Sequence, residues 1–535
     1  MKLSSRYFVL VSFLLVIVSI ACTNNKDNNN PDPILNEPLF NCGEETDNPD
    51  AIIIKESNCK VIIENDDPGY YKNTPGKVNG VTINAGDTIC LKAGTRRGTN
   101  KGFYFNGLTG TSANPIKIVN LNGFFDLQDD FGYSFKLDNC NHLRITGTGS
   151  QDYFYGIRIS STMGNMMEVT GDSSNIEIDH VSFGSRNHID DPDYFAGKEC
   201  HDIRFKTDAT PAGPCREAAN AIMVKNDPAC NSPYNGDTGF FMENIHIHHN
   251  RFEYVAQAIY VGYKNYEGTY RNCDDDPTTG ENGNETLTVP HDIKNIQVHN
   301  NCIMHTMKDG AQFKNLSSIK SRKINDPTNF TDPGVESSIY NNHILFHSEK
   351  QLATQMSGLL VGTGSACNIY NNIIANGYGS AMELGIYAGK TYNNLLINPG
   401  NPESNITAIN SSEKCTDLES IQDSLTSTPG IRILNNDHVD FNDNSIERKI
   451  EFYHNTIANG YNGIEIRDNG DFDIKIHNNL IIAARSFDEI FYKAYCEWGW
   501  TRENAFIRSL ATSFIKVAFG YMVNGETADT DAKNI

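Results

Sequence analysis

Seven short segments of this chain end the same way. An alternating apolar strand closes on an aromatic or histidine residue and is followed by asparagine: His248-His249-Asn250, His299-Asn300-Asn301, Tyr340-Asn341-Asn342, Tyr370-Asn371-Asn372, Tyr392-Asn393-Asn394, Tyr453-His454-Asn455 and His477-Asn478-Asn479. Asn372 to Asn394 spans 22 residues and Asn455 to Asn479 spans 24, which fits one turn of a parallel β-helix, with the longer gaps carrying loop insertions. Asparagine tolerates the left-handed backbone conformation, and its amide is able to bond the same residue one coil away. The repeat therefore predicts a solenoid with a column of stacked asparagines at one corner.

A second strand pattern recurs as Gly156-Ile157-Arg158-Ile159-Ser160, Ala221-Ile222-Met223-Val224-Lys225, Ala258-Ile259-Tyr260-Val261-Gly262, Gly310-Ala311-Gln312-Phe313-Lys314, Gly358-Leu359-Leu360-Val361-Gly362, Ala381-Met382-Glu383-Leu384-Gly385 and Gly463-Ile464-Glu465-Ile466-Arg467. Its second and fourth positions are apolar, so period-two alternation turns the third and fifth outward together. Coils lie about 4.8 Å apart, which puts Lys225 and Lys314 roughly 10 Å apart with Tyr260 between them if the coils are consecutive.

The N-terminal part adds Ala85-Gly86-Asp87-Thr88-Ile89-Cys90-Leu91-Lys92-Ala93-Gly94-Thr95, followed by Asn114-Pro115-Ile116-Lys117-Ile118. With the repeats, this pairing resembles the right-handed parallel β-helix superfamily, which includes pectate-lyase-like and chondroitinase-B-like polysaccharide lyases. The resemblance covers roughly residues 80–485. It implies an all-β solenoid acting on a polysaccharide. The Lys-plus-Arg pattern of close chondroitinase-B or alginate-lyase relatives and the Asp-Pro-His motif of uronate epimerases were not found in the sequence.

Lys2 and Arg6 precede the apolar run Phe8 to Ile20, which reads as a secretory signal. Ser19-Ile20-Ala21-Cys22 then resembles a bacterial lipoprotein cleavage box, with Ser19 where leucine is usual. The expected organisation is a signal with lipidation at Cys22 over 1–22, a tether over 23–38, an N-terminal cap over 39–80, the β-helix over 81–484 and a C-terminal cap over 485–535. Phe506, Leu510, Phe514 and Val517 recur at helical intervals, so the last cap is expected to be helical. Polar stretches at 184–218, 263–291, 315–336 and 398–448 interrupt the rhythm and read as loop walls beside the strands.

Formal net charge is −22, from 44 basic and 66 acidic residues, which argues against nucleic acid as a partner. An acidic sugar would need a local basic patch or a bound cation. Asp274, Asp275 and Asp276, and separately Asp190, Asp191 and Asp193, offer oxygen ligands for Ca²⁺. His246 and His248 share a strand face and His249 points away, a pattern best read as stacked turn histidines.

A polysaccharide lyase must neutralise a uronate carboxylate, take the neighbouring C5 proton and protonate the leaving oxygen. Lys314 is assigned as base and Tyr260 as acid, with Lys225 and Gln312 holding the carboxylate and Glu383 on the same substrate-contacting face. A glycoside hydrolase using Glu383 and Glu465, and a non-catalytic glycan-binding lipoprotein, are the competing readings. Of thirteen cysteines, twelve remain once Cys22 is set aside. Cys42/Cys59, Cys200/Cys215 and Cys230/Cys273 are the first disulfide candidates, while Cys140, Cys302 and Cys367 read as buried fillers.

The lipid anchor is directly testable. Cys22→Ser is expected to release the protein from the outer membrane or cell surface, and unchanged membrane fractionation would count against lipidation.

Overall fold

The computed structural model describes residues 48–67, 71–72, 74–99, 101–129, 133–162, 164–186, 219–225, 240–262, 291–314, 335–348, 357–377, 379–400, 429–434, 449–458, 462–467 and 473–482, together with Cys42, Leu316, Tyr521–Val523 and Glu526–Thr527. These form a parallel β-helix in which the coil strands pair in parallel one coil on, while Lys77–Val78 with Val81–Thr82 and Tyr521–Val523 with Glu526–Thr527 are antiparallel pairs. Three faces run along it. The site face carries Tyr133–Asp138, Asn165–Thr170, Asn220–Val224, Ile259–Val261 and Ala311–Lys314. The ladder face carries Ser174–Asp179, Phe240–His248, His291–His299 and Ser337–Tyr340. The third face carries Ile157–Ser161, Val181–Ser185, Arg251–Val255 and Cys302–Thr306.

Alternation explains the interior. On the site face Met167, Ile222, Ile259, Ala311, Leu359 and Met382 stand in register and are all nearly or fully buried. Burying apolar surface is worth about 25 cal/mol per Å², so these inward columns are the main favourable term.

The corner between the ladder face and the third face divides its work between two neighbouring residues. His249, Asn300, Asn341, Asn371, Asn393, His454 and Asn478 all take left-handed backbone, with φ between 53° and 56°. The asparagine after each forms the ladder. Asn372, for example, donates its amide to Asn394 Oδ1 at 3.0 Å and to the Ile339 carbonyl at 2.9 Å, and its Oδ1 accepts from the Asn342 amide at 3.0 Å. One residue turns the chain and the next ties the coils. Just before the corner, His248, His299, Tyr340, Tyr370, Tyr392, Tyr453 and His477 stack face to face with ring centroids 4.6–5.3 Å apart. His248 is therefore stacked as expected, and His249 stacks on His180 with centroids 5.3 Å apart.

Several expectations change. Ile157–Ser161 pairs with Ile116–Asp129 and Val181–Ser185, so Arg158 and Ser160 belong to the third face and not beside Met223. An alternating Gly-Ile-x-Ile run suits any of the three faces, and alternation alone does not choose among them. Pro429–Leu434, inside a stretch read as an insertion, is a site-face strand paired with Asn462–Arg467. Cys42 joins Cys302 and Cys59 joins Cys90, in place of a Cys42/Cys59 bridge. Cys302 is in register with Arg251 on the outward side of its strand, which lets it meet a segment outside the coil. Cys140 and Cys367 are free and buried. Cys200, Cys215, Cys230 and Cys273 lie outside the described residues. So does nearly all of 485–535, where Tyr521–Val523 is a strand paired with the last site-face strand. Among the described residues, no helix is long and apolar enough to cross a membrane.

Asn372→Ala removes the Oδ1 that accepts from the Asn342 amide and backbone N–H and the Nδ2 that donates to Asn394 Oδ1 and the Ile339 carbonyl, so the buried Asn342 backbone N–H and the Ile339 carbonyl lose these partners. Each buried polar group left unsatisfied costs about 1–3 kcal/mol. We expect a clear drop in the urea midpoint of unfolding, absent from an alanine variant of the exposed Lys475; equal midpoints would refute the ladder as a stabilising element.

Candidate functional site

The site face brings the sequence-predicted residues together in two columns. Strand register aligns Met223, Tyr260, Gln312, Leu360, Glu383, Arg432 and Glu465 rung over rung. Beside it, Lys225, Gly262 and Lys314 follow the aligned Val224, Val261 and Phe313, and Lys314 is in register with Gly362. Lys225 and Lys314 are thus two rungs apart on one face, about 10 Å.

Glycine is required between them. Gly262 has φ +128°, and a Cβ there would fall 2.4 Å from the Lys314 carbonyl oxygen. With Gly362 on its other side, Lys314 stands in a column whose neighbouring positions carry no side chain. The Lys314 backbone packs into the room left at Gly262, and this gap in the side-chain column, the Gly262 notch, is flanked by two ammonium-bearing positions with Tyr260 and Gln312 in the neighbouring column. Gln312 is buried, and its Oε1 accepts from Gln257 Nε2 at 3.2 Å, so what it offers a ligand is its NH₂ group.

Two ionic ladders border the notch. Below it, the buried Glu168 accepts from Asn165 Nδ2 at 2.5 Å and faces Lys225 Nζ at 3.5 Å and Lys136 Nζ at 3.8 Å. Lys225 therefore neutralises Glu168 as well as facing the groove, a second task that the sequence pattern did not reveal. Above it, Arg432 donates to Glu383 at 2.8 Å and to Glu465 at 3.0 Å. Arg432 was missed as a site residue although Gly430-Ile431-Arg432-Ile433 carries the strand signal, because it lay within a presumed insertion. Glu383 is held by this arginine.

Asp309, in the turn entering Ala311–Lys314, is fully buried. One carboxylate oxygen accepts from the Ser357 backbone N–H and hydroxyl, each at 2.8 Å, while the other has no hydrogen-bond partner. Burial pushes its pKa up to about 7, the Glu383 charge pushes the same way, and the Ser357 bonds and Lys314 oppose the rise.

A separate cluster on the ladder face comprises Glu177, Asp179 and His248, whose ligand-type atoms lie within 4.8 Å of one another. Asp179 is buried and accepts from Arg144 at 2.8 and 3.2 Å, Thr146 at 2.6 Å and His180 at 2.7 Å. Burial alone would raise its pKa, but the His180 and Arg144 bonds hold it well below the carboxylate range. Arg144 also approaches Glu177 at 3.3 Å, so a guanidinium already supplies the positive charge here. A histidine-containing set with an arginine between its carboxylates does not fit Ca²⁺, which takes oxygen ligands. The acidic runs Asp274-Asp275-Asp276 and Asp190-Asp191-Pro192-Asp193 lie outside the described residues.

The Asp309 shift fixes a sign. Between its unfolded value near 3.8 and about 7, the folded protein holds a proton that the unfolded chain releases, so this group makes stability fall as pH rises through that window. Asp309→Asn keeps the acceptor for Ser357 and removes the titration. The variant is expected to gain on wild type in thermal midpoint between pH 5 and pH 8, and a pH-independent difference would overturn the assignment.

No family model and no curated protein matches the chain. Among solved structures it is similar to an alginate lyase from Paenibacillus sp. str. FPU-7, with 10% identity over 78% of this chain and 99% of that one and a TM-score of 0.40. It is also similar to pectate lyase Pel9A, with 12% identity over 79% and 78% and a TM-score of 0.31. A third is the GH136 lacto-N-biosidase from Eubacterium ramulus, with 11% identity over 80% and 68% and a TM-score of 0.34. None of these likenesses carries a residue role or an activity to this chain, whose fold rests on its own strand pairing.

Proposed function

We propose that this chain is a surface-tethered polysaccharide lyase, anchored through Cys22, that cleaves a uronate-containing polysaccharide by β-elimination. The observation that carries the reading is the notch: Lys225 and Lys314 on one face, two rungs apart, with a glycine between them and Tyr260 and Gln312 beside it. A uronate carboxylate fits between an ammonium group and the Gln312 NH₂, which offset the charge that builds on the carboxylate as the C5 proton leaves. Lys314, as its free amine, takes that proton; the electron pair forms the C4–C5 double bond; the C4–O bond breaks; and the Tyr260 hydroxyl protonates the departing oxygen.

The hydrolase alternative loses support from the same face. Glu383 and Glu465 are two rungs apart, but Arg432 lies between them and bonds both. The guanidinium thus takes up carboxylate oxygens that a general acid and a general base would have to turn toward the substrate. The adhesive alternative is weakened on the ladder face, where the stacked rings cover one another and leave edges for a sugar.

Incubation with pectic, alginate, glycosaminoglycan and algal polysaccharides separates the classes: ultraviolet absorbance from unsaturated ends marks a lyase, reducing ends alone a hydrolase, and neither a binding protein. On the substrate so identified, Lys314→Ala and Tyr260→Phe are each expected to lower turnover by about two orders of magnitude with folding intact. Lys225→Ala is expected to raise KM more than it lowers kcat, most strongly at low salt. Full activity in both the Lys314 and Tyr260 variants would reject the site.

A further inference from the structure

A cleft of about 140 Å³ opens on the third face, away from the Gly262 notch. Its floor is Ser182 and Gly184, and Ser182 is in register with Arg158 on one rung and Arg251 on the next. Two guanidinium-bearing positions therefore bracket one short hydroxyl side chain, the small residue leaving the space between them. One wall comes from Phe124 and from the loop carrying Tyr153, whose rings meet at 5.3 Å. Tyr153 is 40% exposed, an uncommon state for a large aromatic ring, and Arg158 lies over the Phe124 ring at 5.3 Å.

The charges in this cleft are matched. Arg158 donates to Asp126 through two bonds of 2.8 and 2.7 Å, and Arg251 donates to Glu253 at 2.9 Å. An anion would have to compete with those carboxylates and would meet their repulsion. A neutral ligand with several hydroxyl groups has no such conflict. It is able to accept from guanidinium N–H groups, donate to carboxylate oxygens and exchange bonds with Ser182, while an apolar ring face packs on Tyr153. A neutral pyranose has this combination of an apolar face and an equatorial rim of hydroxyls. The volume is below the roughly 300–1,000 Å³ typical of drug-sized ligand pockets, so the cleft takes one ring and not an oligomer.

We infer that this cleft is a binding site for a single neutral pyranose unit, separate from the notch and independent of the lyase reading. The test uses the full chain and saturation-transfer NMR with the methyl glycosides of galactose, mannose and glucose as probes, and the glucuronide as charged comparator. At least one neutral glycoside is expected to bind saturably, tenfold or more weakly in Tyr153→Ala and in Arg251→Met, and with unchanged affinity in Lys314→Ala. Since Tyr153 is half in solvent, its alanine variant is expected to keep the wild-type circular dichroism spectrum, which separates lost binding from lost folding. The proposal is overturned if none of the three neutral probes binds, if binding survives both cleft variants, or if the glucuronide binds more tightly than the glucoside. Loss of binding in Lys314→Ala would also overturn it, by placing the sugar at the notch.

Discussion

Every coil must bring the chain back to the same lateral position one strand spacing further along, and from Asn250 to Asn479 the asparagine corner enforces that return. Left-handed backbone at residues such as Asn341 and Asn371 turns the chain sharply. The following amide then bonds the coil on each side, as Asn372 does with Asn342 and Asn394. An asparagine out of place by one residue would leave buried amides unpaired and turn the next strand inside out. The corner therefore fixes the register of the site face, although that face lies elsewhere on the coil. Lys225 and Lys314 share a column because asparagines elsewhere on each coil do.

This constraint is also what made the fold readable. The Asn-terminated strands, the alternation of Ile222 and Val224 or Ile259 and Val261, and the common face of Lys225, Tyr260, Gln312 and Lys314 all follow from local periods. Which of three faces a strand joins does not. Arg158 was misplaced for that reason, since its alternating flanks fit any face equally. Arg432 was overlooked because the polar residues around a short strand hid it. The partners of Cys42 and Cys59 depend on where an N-terminal segment crosses the outside of the helix, a long-range fact without a local period. Glu168 belongs to the same class, because only the structure shows that an outward-facing strand position is covered by its neighbours.

The coil spacing also governs charge. Side chains in one column recur about every 4.8 Å, close enough that two like charges on successive rungs repel strongly unless something intervenes. Several columns show this: Glu168 follows Lys136 and is also reached by Lys225 from the next column, Arg432 stands between Glu383 and Glu465, and Asp126 opposes Arg158 on the third face, whereas Lys117 and Arg144 are like charges on successive rungs. Such alternation neutralises a column and leaves little local field for a ligand to feel. At physiological salt, charges more than about 8 Å away are largely screened, so the net −22 of the chain matters less at the notch than the few groups beside it.

Lys314 departs from that alternation. Its column neighbours are Gly262 and Gly362, so no carboxylate stands on the rung before or after it. The glycine at 262 allows the close approach of the Lys314 backbone that a Cβ would block, and neither flanking position adds a charged side chain to the column. The two column positions beside Lys314 thus offer no carboxylate of their own, in contrast to Glu383 and Glu465 on either side of Arg432. Tyr260 and Gln312 border that position in the next column, and their order along the axis follows from the same register that places the lysine. A lysine, a phenol and an amide on adjoining columns are thus held in order by a corner on another side of the coil, and the proposed elimination chemistry depends on that order.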